Sequence, residues 1–150
     1  MSAPSPERVI ELRIRLGAPP DEVFAFFVDP ERYVRWQGIK AELDPRPGGL
    51  FRVWMDAGTV ARGEYVAVEA PRRVVFTWGW ENDPALPPGS TIVELTLDPD
   101  GAGTLLTLRH SGLPDDRSAA VHEEGWVLFT GRLEVAVRGE DPGPMPGPPA

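Results

Sequence analysis

His110 and His122 are the only histidines in the chain, and both fall where a buried site would need them. His110 ends an alternating run, on the same face as Leu106 and Leu108. His122 sits on an apolar helical stripe, one turn before Trp126. Neutral imidazoles placed this way can orient a carbonyl or hydroxyl, or exchange a proton near neutral pH. Tyr65 would add a hydroxyl donor if its strand face points inward. The alternative for each histidine is a bond to a nearby backbone group that staples the strand to the following helix. Trp54, Trp78, Trp80, Trp126 and Phe129 form an aromatic set able to stack on a flat ligand or to fill a core.

Other chemistries find less footing. Zinc needs at least three ligands in reach, and two histidines with no placed carboxylate do not supply them. The chain has no cysteine, which removes disulfides, thiol nucleophiles and thiolate metal sites. Ser111, Thr77 and Thr96 lack a Gly-x-Ser-x-Gly elbow and an acid partner at suggestive spacing. Gly48-Gly49 reads as a hairpin turn, not a phosphate-cradling loop. Arg62 and Glu64 share a strand face and would anchor a polar head group if that face is inward, or form a solvated pair if it is not. No metal and no cofactor are expected from these patterns.

These residues belong to a chain of 150 residues, the size of one domain, with 41% hydrophobic and 25% charged residues. A net charge of −8 would repel phosphate backbones, so nucleic acid is not an expected partner. No apolar run is long enough to span a membrane, and the first residues lack the basic and apolar regions of a signal peptide. A cytoplasmic protein is the expectation that fits the missing cysteines.

Several short elements must position the candidates. Ile10, Leu12, Ile14 and Leu16 alternate with charged residues as a half-buried strand. Pro19-Pro20-Asp21-Glu22 starts one helix, and Asp29-Pro30-Glu31 starts a second, with Asp29 as N-cap, carrying Tyr33 and Trp36 inward. Strands follow from Ala41 onward, divided by turns at Pro45–Gly49, Asp56–Thr59, Glu69–Pro71, Asn82–Gly89 and Asp98–Gly101, which implies an antiparallel meander. Arg52 beside Trp54 favours Phe51, Val53 and Met55 as the inward set. A final helix from about Asp115 to Arg138 carries Ala119, His122, Trp126, Phe129, Leu133 and Val137 on one stripe. Val127, Leu128 and Val135 widen it, so the helix is expected to be largely buried. Gly125 and Gly131 each cost about 1 kcal/mol in a helix interior, which suggests close approach to the sheet as compensation.

This order, together with Val23-Phe24, Trp36, Pro47-Gly-Gly49, Pro71, Phe76-Thr-Trp78, Leu108-Arg-His110-Ser-Gly-Leu113 and His122-Glu-Glu-Gly-Trp126, resembles the START-like (SRPBCC) superfamily. Within it the chain is similar to the group named after the activator of the heat-shock-90 ATPase. The resemblance covers roughly residues 8–138. It implies an α+β helix-grip fold: an antiparallel sheet wrapped around a long C-terminal helix, two short helices after strand 1, and a mostly apolar cavity between sheet and helix. Residues 1–7 would be a flexible start and 139–150 a disordered Gly/Pro tail.

Superfamily members carry apolar ligands, and some act on polyketide-like substrates, so fold alone does not choose the function. The first expectation is a container for a small apolar molecule, lined by Phe51, Val53, Met55, Tyr65, Phe76, Trp78, His110, His122, Trp126, Phe129 and Leu133. The second is a cyclase, dehydratase or hydrolase acting on an apolar carbonyl compound, with His110, His122 or Tyr65 as acid–base residues. The third is an interaction protein, either a chaperone cofactor or a homodimer formed through the sheet. A chain of one small domain, with no separate chaperone-binding domain, places the literal co-chaperone role last.

Overall fold

The computed structural model describes residues 8–145. Seven strands form one antiparallel sheet in the order β1-β7-β6-β5-β4-β3-β2. In chain order these are β1 (Arg8–Leu16), β2 (Lys40–Leu43), β3 (Leu50–Trp54), β4 (Val60–Glu69), β5 (Arg73–Trp78), β6 (Thr91–Asp100) and β7 (Gly103–Leu113). Two short helices, α1 (Pro20–Val28) and α2 (Pro30–Tyr33), connect β1 to β2, and the long helix α3 (Asp116–Val137) follows β7. The connection from β1 to β2 carries the chain from one edge of the sheet to the other. Every other strand pairs with its sequence neighbour, as hairpin-length turns require.

Local chemistry sets the boundaries. Pro20 opens α1, where its missing N–H costs nothing, and Asp29 separates the two helices. The Asp29 carboxylate accepts the Glu31 N–H at 3.1 Å, capping α2. Asp115 caps α3 by accepting the Ser118 N–H at 2.8 Å, and Ser118 reciprocates, a capping box. In the β2–β3 turn Gly48 adopts φ 82°, and a Cβ on Gly49 would collide with the Asp44 carbonyl. Only glycine fits both places.

The concave face of the sheet holds the core. Phe51 stacks on Phe76 with ring centroids 4.0 Å apart, and Tyr65, Tyr33 and Trp36 extend this aromatic mass towards α1 and α2. Val53 lies inward with Phe51, while Trp54 faces out beneath Lys40 and Arg52, whose cationic groups lie 4.5 and 4.3 Å from its ring centre. Arg62 and Glu64 are on the outer face too, and Arg62 approaches Glu81 at 3.8 Å. A bulge between Tyr65 and Ala67 keeps Tyr65 inward and then turns Val68 towards the core.

Two expectations for the last helix are corrected. It is not largely buried: only Trp126, Thr130, Leu133 and Ala136 are, whereas Val127 and Leu128 are 56% and 47% exposed. The sheet reaches one face of α3, so apolar residues outside that narrow stripe stay in solvent. Nor do Gly125 and Gly131 serve close packing, because a Cβ at either position would meet nothing within 4 Å.

Residues 139–145 leave α3 and run back beside it, where Arg132 donates to the carbonyls of Pro142, Gly143 and Pro144 at 3.2–3.3 Å. The expected flexible start (1–7) and the last part of the expected tail (146–150) lie outside the described residues.

Candidate functional site

Where β5, the start of β6, β7 and the first half of α3 meet, three indoles and two imidazoles form one cluster. Trp78 ends β5, Trp80 follows two residues later, Thr91 opens β6, His110 lies in β7, and His122 and Trp126 come from α3. Trp78 lies 5.2 Å, centre to centre, from both Trp80 and Trp126, and the two imidazoles meet edge to face at 5.3 Å.

The hydrogen bonds assign the tautomers. The Thr91 hydroxyl donates to the Trp78 carbonyl at 2.8 Å, so it must accept from His110 Nε2, also 2.8 Å away. His110 Nδ1 is then the unprotonated nitrogen, and it accepts the Trp126 indole N–H at 3.0 Å. His122 has the opposite tautomer: Nδ1 donates to the Ser118 carbonyl at 2.7 Å, and Nε2 accepts the Trp80 indole N–H at 3.1 Å. Burial, with a smaller repulsion from His122, lowers the His110 pKa from 6.5 to about 3. Burial lowers His122 as well, opposed by its Ser118 bond and by the Asp83 charge. Both imidazoles are therefore neutral at pH 7, with each ring nitrogen engaged.

Beside this cluster opens a cleft of about 560 Å³, walled by the first half of α3, the loop from Asn82 to Gly89, and the ends of β3 and β5. Of the residues expected from sequence, Met55, Trp78, His122, Trp126 and Phe129 line it. Phe51, Val53, Tyr65, Phe76 and Leu133 pack together in the core, and His110 lies buried behind Trp126. The Tyr65 hydroxyl donates to the Phe27 carbonyl at 2.8 Å, away from the cleft, and burial raises its pKa.

Other walls came without a strong sequence signal. Leu86, buried within the proline-rich loop, closes one side beside Trp80, a member of the aromatic set expected from sequence, and Gly125 leaves room on the helix side. A lone leucine among prolines was the one hint for Leu86. Asp83, Asp115 and Arg117 stand among the lining residues as its charged groups. Among the described residues no three of His, Asp and Glu lie close enough together to hold a metal ion. A smaller hollow of about 400 Å³ lies elsewhere, between Val34, Arg35, Arg132 and the 139–145 segment. No described helix is long and apolar enough to cross a membrane.

The architecture has close counterparts. An AHSA1-like protein from Rhizobium etli is 43% identical, with a TM-score of 0.75 over 96% of this chain and 90% of its own. CalU16 from Micromonospora echinospora is 34% identical, with a TM-score of 0.73 over 87% of this chain and 76% of its own. DynU16, described as a putative protein in the dynemicin biosynthetic locus, is 26% identical with a TM-score of 0.78, and the match spans 89% of this chain but 49% of DynU16. An uncharacterized protein of Schizosaccharomyces pombe is 33% identical over 92 residues, which are 61% of this chain and 25% of that protein. This chain thus aligns with about a quarter of the yeast protein's length. The family model for Activator of Hsp90 ATPase homolog 1-like proteins matches residues 17–138, well over half of the sequence. With the helix-grip topology beside that match, the chain belongs to the Activator of Hsp90 ATPase homolog 1-like family of the START-like superfamily.

Proposed function

We propose that this protein binds a small, mostly apolar molecule in the cleft beside α3. The observation that carries the reading is the cleft itself: about 560 Å³, with Met55, Trp78, Trp80, Leu86, Trp126 and Phe129 in its walls. That size and lining suit a ligand of a few hundred daltons, whose transfer from water would supply the affinity. The likeness to DynU16, a putative protein in the dynemicin biosynthetic locus, supports a small-molecule role. The cysteine-free composition fits a cytoplasmic setting.

Acid–base turnover by His110 or Tyr65 draws no support from the geometry. Each is buried, each has its polar atoms committed to protein partners, and neither lines the cleft. His122 does line it, yet both of its nitrogens are engaged.

Thermal unfolding across a panel of apolar compounds tests the proposal, alongside native mass spectrometry of the freshly purified protein. A ligand at a hundred times its Kd should add about 2.7 kcal/mol of stability, a clear rise in Tm. A well-folded protein showing no added mass and no shift across the panel would overturn it.

A further inference from the structure

The cluster beside the cleft contains three indole N–H donors and two imidazole acceptors. Trp126 donates to His110 Nδ1 and Trp80 donates to His122 Nε2, which uses both acceptors. The other imidazole nitrogens carry protons and donate to Thr91 and Ser118. Trp78 is left over. It is 2% exposed, lines the cleft, and its Nε1 has no hydrogen-bond partner among the described residues. Its remaining aromatic neighbours, Phe51 and Phe76, offer only ring faces and edges. A buried N–H left unpaired costs on the order of 1–3 kcal/mol, and native proteins rarely keep one without a use.

We infer that the bound molecule carries a neutral hydrogen-bond acceptor of the carbonyl class, placed to take the Trp78 indole N–H. This rests on the binding reading above and narrows it from any apolar molecule to one with a specific polar atom. Neutrality follows from the walls. Among the described residues Arg117 is the one cation lining the cleft and is exposed, and burial keeps the two histidines uncharged. A carboxylate drawn in to Trp78 would lose its hydration with no buried cation to compensate. The acceptor belongs on a ring system, because Trp78, Trp80 and Trp126 surround it with aromatic surface.

Fluorene and fluorenone are a matched pair that differ in this one feature: they share a flat tricyclic frame, and fluorenone adds a carbonyl. Both would be titrated into the full-length protein by calorimetry, with the indole N–H signals followed in a proton–nitrogen correlation spectrum. Fluorenone should bind more tightly by about fivefold or more, the scale of one neutral hydrogen bond. The Trp78 indole proton should move downfield on adding fluorenone and not on adding fluorene, while those of Trp80 and Trp126 hold their hydrogen-bonded positions. Trp78→Phe should erase the preference, and the wild-type spectrum decides alone if that variant does not fold.

Equal binding with an unmoved Trp78 signal would overturn the inference and leave the container reading standing. Binding of neither compound would overturn the inference, and would remove the container reading as well if the apolar panel and the native mass spectrum were also blank. A Trp78 proton that contacts a buried water in the free protein and keeps that contact with fluorenone bound would also overturn it, as would tighter binding of a fluorene carboxylate.

Discussion

Acid should unfold this protein through a histidine that refuses its proton. His110 titrates near 6.5 when unfolded and near about 3 when folded, because burial beneath Trp126 disfavours the cation. Between those values the unfolded chain binds a proton that the folded chain does not. Stability is therefore complete above pH 6.5 and falls as the pH drops towards the folded value. At pH 5 the loss from His110 alone comes to about 2 kcal/mol, a figure that hardly changes while the folded pKa stays below about 4. The carboxylates held low by their partners, Asp56, Asp115 and Glu81, act in the same direction but mostly below pH 5, where their unfolded forms take up protons. His122, also lowered, adds to the same window. Urea unfolding at pH 7 and pH 5 would measure the loss in wild type, His110→Gln and His122→Gln. In His110→Gln the difference between the two pH values should shrink by about 2 kcal/mol, whatever the variant's stability at pH 7. An undiminished difference would refute the reasoning. So would an imidazole signal of folded wild-type His110 that titrates near 6.5, a measurement that needs no variant.

Other expectations follow from single contacts. Thr91→Val should cost about 1–3 kcal/mol in urea unfolding, because it leaves the Trp78 carbonyl and the His110 Nε2–H without their shared partner. Gly125→Ala and Gly131→Ala should each stabilise by about 1 kcal/mol, since the new methyl meets open space and the helix loses its most flexible residues. Only Gly125→Ala should also weaken ligand binding, because Gly125 lines the cleft and Gly131 does not. Arg132→Met should speed proteolytic cutting within residues 139–145, whose carbonyls at Pro142, Gly143 and Pro144 it holds.

The elements were legible because their signals are local. Alternation from Ile10 to Leu16 marks β1, and Asp29-Pro30-Glu31 marks the start of α2 by capping chemistry within three residues. The charge of Arg52 sufficed to turn Trp54 outward and Phe51 and Val53 inward. The burial of α3 was misread because apolar residues on a helix do not reveal how wide a face the sheet can reach. Val127 and Leu128 satisfy helical periodicity equally well in solvent. Its glycines were misread for a related reason: a flexible residue in a helix suggests a tight neighbour, and here there is none.

The site was legible as a list of residue types and illegible as a circuit. Composition shows two histidines and five tryptophans, so indoles outnumber imidazoles from the start, but no spacing says which meet. Trp80 reaches His122 across 42 positions and Trp126 reaches His110 across 16, joined only once β5, β7 and α3 converge. Trp54 leaves the count by facing outward, and Trp36 leaves it by donating to the Phe26 carbonyl at 3.0 Å. What remains is three donors against two acceptors, both acceptors fixed by bonds from their opposite nitrogens. The same arrangement that occupies both nitrogens of His110 leaves Trp78 without a protein partner among the described residues, as the polar contact a proposed ligand would answer. Beside this cleft the histidines work as acceptors for tryptophan, and the indole they cannot serve is the group through which the proposed ligand contact would distinguish one apolar molecule from another.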